Sequence, residues 1–475
     1  MSREEQIFEP INMPLRGSLT MPGDKSIASR AVFLAAMAEG TSHIFDLPRS
    51  LDVMTVVAVA RDLGAKVKIL DSNHRNKVNF DLEVTGWGKK GPQPMKSSIY
   101  CGNSATCARV AMGVLAPFDV AMIVDGDESL HRRPFMRIVD PLMQMGANFK
   151  VVAQKNGKPQ RSSLPMEIIG NSEANPIYYE MPVASSQVKT SILFAGANVS
   201  GETTVIEPYQ SRNHDQILLK AFGANIKHNK DLLSVAINGP ANLKACDIWI
   251  PGDVSSAAYY LTAAAMVPGS KITIENIGIN PTRLGFINAL KEMGSRIEIE
   301  EIPEEESLSK NLNYQGEPIG NITVQYAGRL KSITVSPDKI PSMIDEVPIL
   351  AMAAATAEGT STFYGVRELK LKESNRIHAI SEGLRKLGTK ASDTGDTLTI
   401  EGGIDIEAKR SMNEVKDDVV LLKHRYDHRL AICWALMGLC SYVPVKMHNF
   451  EVSHVGYPQF LDDFNDLVLE SKKGK

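Results

Sequence analysis

At 475 residues the chain is longer than one hydrophobic core usually organises, which favours two domains. Hydrophobic residues at 43%, charged residues at 23%, 35 glycines and 25 prolines describe a folding, turn-rich chain and exclude a disordered one. A net charge of -3 excludes the broad basic field of a nucleic-acid scaffold, while leaving room for a local basic pocket that holds a small anion.

The opening Met1 to Ile11 carries acids and lacks the basic, apolar pattern of a targeting segment, so a cytoplasmic location is expected. Met21-Pro22-Gly23-Asp24-Lys25-Ser26 then leads into an Ala-rich stretch, with Asp24 suited to cap a helix. Lys25, Ser26 and Arg30 fall on one side of that helix start, where free backbone N–H groups and the dipole favour an anion; a solvated helix end is the equal alternative. The stretch ends in the turn Ala38-Glu39-Gly40-Thr41-Ser42, followed by a strand-like run from Ile44 to Leu47 and by Leu63-Gly64-Ala65.

This unit recurs. Its turn returns at Leu115-Ala116-Pro117, Val199-Ser200-Gly201, Val267-Pro268-Gly269, Ala357 to Ser361 and, most weakly, Leu439 to Val445. The apolar residue plus glycine returns as Met145-Gly146, Phe222-Gly223, Met293-Gly294 and Leu387-Gly388, each glycine fitting the position just past a helix. Strand composition reappears at Val205 to Glu207 and Ile272 to Ile274, and helical spacing at Arg283 to Met293 and Ile377 to Leu387. Ile250-Pro251-Gly252-Asp253 also echoes residues 21–24. The expected architecture is therefore α/β with two pseudo-symmetric lobes of three units each: 23–251 as one lobe, and 1–22 plus 252–475 as the other. Two ordinary turns in one doubly wound sheet are the alternative.

Several segments carry more polar residues than a surface loop needs. Cys101-Gly102-Asn103-Ser104-Ala105-Thr106 presents small residues and amides before a second Ala-rich helix, without the ending of a Walker loop. Arg132 and Arg133 stand before Pro134, read as the start of a helix, and could hold a carboxylate or phosphate. Ser185, Ser186, Gln187 and Lys189, then Ser211 to His214 with Arg212, read as further oxyanion contacts, with capping or surface charge as the plainer alternative. Asp345 and Glu346 put two carboxylates in an apolar run, which is costly unless they are partnered or functional. Lys372, Glu373 and Arg376 read as one helical turn of mixed charge, and Asp427-His428-Arg429 precedes the uncharged run Leu430 to Pro444, which is too short to span a membrane. The five cysteines lack metal-ligand spacing and read as core thiols; no metal, cofactor or nucleic-acid site is indicated.

In this order the segments resemble the 5-enolpyruvylshikimate-3-phosphate synthases along nearly the whole chain, through P-G-D-K-S, G-N-x-x-T, R-R-P, S-x-Q-V-K, N-P-T-R (Asn280 to Arg283), I-D-E-x-P, K-E-S-x-R and D-H-R. The resemblance implies a fold of two lobes, each of three βαβαββ units, closing on the substrates in a cleft. It implies transfer of enolpyruvate from phosphoenolpyruvate to shikimate 3-phosphate by a monomer without cofactor. Lys25, Ser26, Arg30, Ser185, Ser186, Gln187, Arg212, Asp345 and Lys372 would then contact shikimate 3-phosphate. Lys25, Asn103, Ala105, Thr106, Arg133, Gln187, Arg376 and Arg429 would contact phosphoenolpyruvate, with Lys25, Asp345 and Glu373 sharing the proton transfers.

The chain departs from the family pattern at four places. Ser29 stands where a histidine is usual, and Asn375 stands where an aspartate could orient Arg376. His454 to Pro458 lacks a phosphoenolpyruvate-binding lysine, for which Lys423, His424 or Arg425 are candidate substitutes. Ala105 replaces a glycine common in glyphosate-sensitive members, so weak inhibition by glyphosate is expected. The sister transferases acting on UDP-N-acetylglucosamine resemble the chain less, since Val124 to Arg132 lacks their reactive cysteine. An inactive homologue with a binding role is the other alternative.

Overall fold

The Ala-rich stretches form helices enclosed on nearly every side in the computed structural model, which describes residues 5–70, 79–152, 163–303, 306, 316–406 and 419–473. They are Lys25–Met37, Ala105–Leu115, Ser186–Gly196, Val254–Met266, Val347–Thr356 and His428–Cys440. A helix that is apolar all round is stable only when covered on all faces. Small residues let the cover come close: a Cβ at Gly113 would lie 2.2 Å from the Ser191 carbonyl oxygen.

By contacts among the described residues the chain divides into two units. One, the continuous unit, is Gly23–Ile250 with the described part of Glu304–Glu317. The other, the split unit, comprises Met1–Pro22, Pro251–Pro303 and Pro318–Lys475.

Three four-stranded sheets of one topology build the continuous unit. In the first, Ile248–Trp249 runs parallel to Thr41–Pro48, which pairs antiparallel with Asn79–Thr85, itself antiparallel to Lys66–Leu70. The same order and senses recur in Ser98–Tyr100, Ala121–Asp125, Met166–Ile169 and Asn148–Val151. They recur again in Tyr178–Glu180, Gly201–Ile206, Ser234–Gly239 and Ile226–Asn229. The first sheet takes its edge strand from the far end of the segment, so the unit closes on itself.

The split unit repeats the pattern in Arg16–Thr20, Lys271–Gly278, Ile319–Gln325 and Arg296–Glu301, and in Thr334–Val335, Thr360–Tyr364, Thr397–Glu401 and Lys390–Asp393. Its last sheet has three strands among the described residues: Val420–Leu421 parallel to Val445–His448, with Glu5–Phe8 antiparallel on the other side. This is the repeat that was faintest in the sequence, because its antiparallel strand comes from the opposite end of the chain. The fold is thus α/β with three repeats in each unit, βαβαββ in five of them and one strand fewer in the sixth among the described residues.

Each repeat adds a second, half-covered helix, such as Leu51–Asp62 or Arg376–Lys386. Gly64, Gly146, Gly223, Gly294 and Gly388, each two residues past the last residue of such a helix, have φ between +89° and +110°. Four cysteines are buried and Cys246 is half-buried, all as thiols. Among the described residues no helix is long and apolar enough to cross a membrane, and no group of three or more His, Cys, Asp or Glu could hold a metal.

Candidate active site

The buried helices of the continuous unit begin at Lys25, Ala105 and Ser186, and each start favours an anion through its N–H groups and dipole. Side-chain caps fix these ends: Asp24 accepts from Ser26 N–H at 2.7 Å and Ile27 N–H at 2.9 Å, a cap worth about 1 kcal/mol. Ser104 and Ser185 cap the other two. Lys25 pairs with Asp52 of the helix Leu51–Asp62 at 2.7 Å. Arg30, one turn on and 2% exposed, donates to Thr190 Oγ1 (2.9 Å), the Ser26 carbonyl (2.9 Å) and Ser186 Oγ (3.4 Å). Arg212 reaches Ser26 Oγ at 3.1 Å from the start of the helix His214–Ala221. Three segments distant in sequence thus converge on one set of hydroxyl and guanidinium donors.

A second set lies around Gln187 in the same unit. Its Oε1 accepts from Arg109 and its Nε2 donates to Thr106 Oγ1 at 2.7 Å. Arg109 also donates to the Pro134 carbonyl at 3.0 Å and stacks 5.3 Å from the Phe135 ring centroid. Arg133 donates to Asn103 Oδ1 at 3.0 Å, and Asn103 Nδ2 to Asp127 Oδ2 at 2.7 Å. Ala105, 5% exposed, is the first residue of its helix, beside Thr106.

In the split unit the cations stand among carboxylates. Arg376, 1% exposed, donates through Nε to Asp427 Oδ2 (2.7 Å) and through Nη2 to Glu373 Oε2 (2.6 Å), with Nη1 3.5 Å from Asp345 Oδ1. Burial works to lower its pKa, but Asp427 and then Glu373 outweigh it, and the group lies above the ordinary arginine value. Arg429 is likewise raised well above that value: burial opposes, and Asp345, at 3.8 Å, leads the groups that outweigh it. Lys372 Nζ lies 3.3 Å from Asp345 Oδ1, so Asp345 meets three cations. Asp427 has two tasks, since it also caps the helix His428–Cys440 by accepting from Arg429 N–H at 3.0 Å.

The expected site residues therefore fall into two groups. Lys25, Ser26, Arg30, Asn103, Ala105, Thr106, Arg133, Ser185, Ser186, Gln187 and Arg212 belong to the continuous unit, and Asp345, Lys372, Glu373, Arg376 and Arg429 to the split unit.

Some expectations fail. Lys189 is not an oxyanion contact: it is fully buried and paired with Glu207 at 2.7 Å. His214 is also buried, 2.6 Å from Glu317. The helix after Arg133 starts at Met136, so Pro134 precedes it and offers its carbonyl to Arg109. Lys372 to Asn375 form a loop between two helices rather than a helical turn, with Asn375 capping Arg376–Lys386. The absent aspartate at 375 leaves Arg376 oriented all the same, because Asp427 does it.

Of the substitutes considered for the missing lysine, His424 has both ring nitrogens engaged and Arg425 is paired with Glu382. Sequence reading missed Arg109, although a lone charge in an Ala-rich helix was a signal; Asp52 gave none.

A family model described as EPSP synthase (3-phosphoshikimate 1-carboxyvinyltransferase) matches residues 10–464. A 3-phosphoshikimate 1-carboxyvinyltransferase from Coxiella burnetii (strain CbuK_Q154) is 38% identical over 458 residues, 96% of each chain. Among solved structures, an EPSP synthase from Acinetobacter baumannii matches with a TM-score of 0.77 at 32% identity, covering 98% of both chains. The enolpyruvyl transferase NikO from Streptomyces tendae shares the fold, with a TM-score of 0.73 at 15% identity over 98% of both chains. With the family's motif residues gathered at helix starts and around Asp345, and a match along nearly its whole length, the chain belongs to the EPSP synthase family.

Proposed function

We propose that the chain transfers the enolpyruvyl group of phosphoenolpyruvate to the 5-hydroxyl of shikimate 3-phosphate, releasing phosphate, and that both side-chain groups serve this one reaction. The observation that carries the reading is the setting of Asp345 and Glu373, two carboxylates among Lys372, Arg376 and Arg429. Carboxylates interleaved with cations suit proton transfer next to anionic substrates. Ser26, Arg30, Ser185, Ser186, Gln187 and Arg212 hold shikimate 3-phosphate, together with Lys372 and Asp345. Asn103, Ala105, Thr106, Arg133 and Gln187 hold phosphoenolpyruvate, together with Arg376 and Arg429. Lys25 touches both.

Asp345 takes the 5-hydroxyl proton as the oxygen bonds to C2 of phosphoenolpyruvate, and Glu373, which enters this step as the protonated acid, gives its proton to C3. The tetrahedral intermediate then returns a C3 proton to Glu373, and the bond from C2 to the phosphate oxygen breaks. Phosphate leaves with that electron pair and takes its proton from Lys25, and solvent then returns a proton to Lys25 and removes the one held by Asp345. The enzyme works as a cytoplasmic monomer, and glyphosate inhibits it weakly because the Ala105 methyl narrows the phosphoenolpyruvate subsite.

Mixing the purified chain with both substrates tests the reading. Phosphate should appear only when both are present, and UDP-N-acetylglucosamine should not replace shikimate 3-phosphate. In heavy water the parent should place deuterium at C3 of phosphoenolpyruvate, Asp345→Asn should do so slowly, and Glu373→Gln not at all. Exchange that survives in Glu373→Gln would move the C3 proton to another residue.

A further inference from the structure

The turn His424-Arg425-Tyr426-Asp427, just before the helix His428–Cys440, sits in an unusual backbone state. Its two central residues have φ of +54° and +60°, and the Asp427 N–H closes the turn on the His424 carbonyl at 2.9 Å. Such a left-handed pair normally needs Asn or Gly, because other side chains crowd the backbone there. An arginine and a tyrosine stay in it only if their surroundings hold them.

His424, 6% exposed, is what holds them. Its Nδ1 accepts the Tyr426 N–H at 3.0 Å, which puts the ring proton on Nε2, and Nε2 donates to the His448 carbonyl at 2.7 Å. The imidazole thus ties the turn to the strand Val445–His448. Burial lowers the His424 pKa against the opposing pull of the His448 hydrogen bond, which favours this neutral ring. Arg425 is tethered to Glu382 on the helix Arg376–Lys386, and the exposed Tyr426 ring meets His424 edge-on at 6.0 Å.

The residue that leaves this turn is Asp427, which orients Arg376 and caps the helix bearing Arg429. We infer that His424 is a positioning residue for the phosphoenolpyruvate subsite: by locking the left-handed turn it fixes where Asp427 stands, and through Asp427 it fixes Arg376 and Arg429. The inference rests on the transferase reading above. It gives His424 a task without substrate contact, in place of the substitute anion ligand that its position suggested. A displaced guanidinium weakens binding of the anion it faces, while the other substrate is held by other residues.

The test measures kcat, both KM values and the melting temperature for the parent and three variants. His424→Ala should raise KM for phosphoenolpyruvate about tenfold, with KM for shikimate 3-phosphate and the melting temperature close to the parent's. His424→Asn should stay near the parent, because an asparagine carbonyl accepts the N–H two residues on. His424→Ala combined with Tyr426→Gly should recover, because glycine adopts positive φ without crowding. His424→Phe, which fills the space without offering an acceptor, replaces the alanine variant if that one does not fold.

Unmoved KM for phosphoenolpyruvate, a parallel rise in both KM values, or no recovery in the asparagine and double variants overturns the inference. A parent that releases no phosphate from the two substrates sinks the transferase reading and this inference with it. An active parent with an indifferent alanine variant sinks this inference alone.

Discussion

The described contacts of the site arginines differ between the two units, although Lys25 of the continuous unit is paired with the carboxylate of Asp52. In the continuous unit the guanidinium contacts described for Arg30, Arg133 and Arg212 are to hydroxyl, amide and carbonyl oxygens. In the split unit Arg376 and Arg429 are placed by Asp427, Glu373 and Asp345. A neutral oxygen aims a guanidinium without itself opposing the guanidinium's charge. Carboxylates aim it and also supply groups that can carry protons, at the cost of competing with the incoming anion. Binding strength should therefore rest more on the continuous unit, and proton transfer more on the split one.

The largest expected effect tests the proton-transfer side. Glu373→Gln should lose at least about 100-fold in kcat while still binding shikimate 3-phosphate, and Lys25→Met should do the same. Calorimetric titration with shikimate 3-phosphate, run beside a phosphate-release assay, separates the two quantities; near-normal turnover in both variants would remove these groups from the chemistry. Next comes a direct exchange of one design for the other. Asn103→Asp turns the amide oxygen that Arg133 meets into a carboxylate oxygen, and KM for phosphoenolpyruvate should rise on the order of tenfold or more, with a smaller change in kcat. If KM is unmoved, neutral partners do not explain how the continuous unit binds.

Ala105→Gly asks how tightly the same unit is shaped. Removing one methyl at a buried helix start should make glyphosate inhibition roughly tenfold stronger and change phosphoenolpyruvate affinity less, since close-packed sites discriminate by single methyl groups. A parent already inhibited at micromolar glyphosate would refute the steric account.

A last effect, on stability and not on activity, comes from a carboxylate whose described partner is a hydroxyl. Asp463 accepts from the Tyr457 hydroxyl at 2.5 Å, and burial raises its pKa to about 6 from 3.8 despite that hydrogen bond. The folded chain then binds this proton more tightly than the unfolded one. The resulting stability is complete below about pH 4 and lost as pH rises through about 6, a change on the order of 2–3 kcal/mol at most. Asp463→Asn should flatten this part of the stability curve and melt higher than the parent at pH 8; an unchanged slope between pH 4 and 6 would mean the carboxyl is not protonated there.

The fold was readable because its repeat writes the same punctuation many times. The Leu63-Gly64 pattern and its four later copies mark helix ends, and Asp24 and Asp253 mark helix starts. The split sheet was harder to read, since nothing local in Glu5–Phe8 says that its partner is Val445–His448. At the site, the residues proposed to contact substrates stood out as polar groups in odd places, whereas their supports did not. Lys189 shows the ambiguity: a lysine beside Gln187 reads as an anion ligand until Glu207, 18 positions on, is seen to pair with it. Asp427 was visible as part of D-H-R, but its hold on Arg376 depends on a contact across 51 positions.

The pairing of Glu5–Phe8 with Val445–His448, and of Arg16 with Ser471 across 455 positions, also sets the order in which the protein can be made. A ribosome delivers the chain from its N-terminus, and domains fold as they emerge. The unbroken run Gly23–Ile250 can complete its three sheets while synthesis continues. Arg16–Thr20 can pair once Lys271–Gly278 is made, but Glu5–Phe8 must wait, with its strand edge open, until Val445–His448 has been made. A chain that stalls late in translation would carry one finished unit and one unfinished, and the exposed edges of the unfinished unit are where a chaperone or a protease would find it.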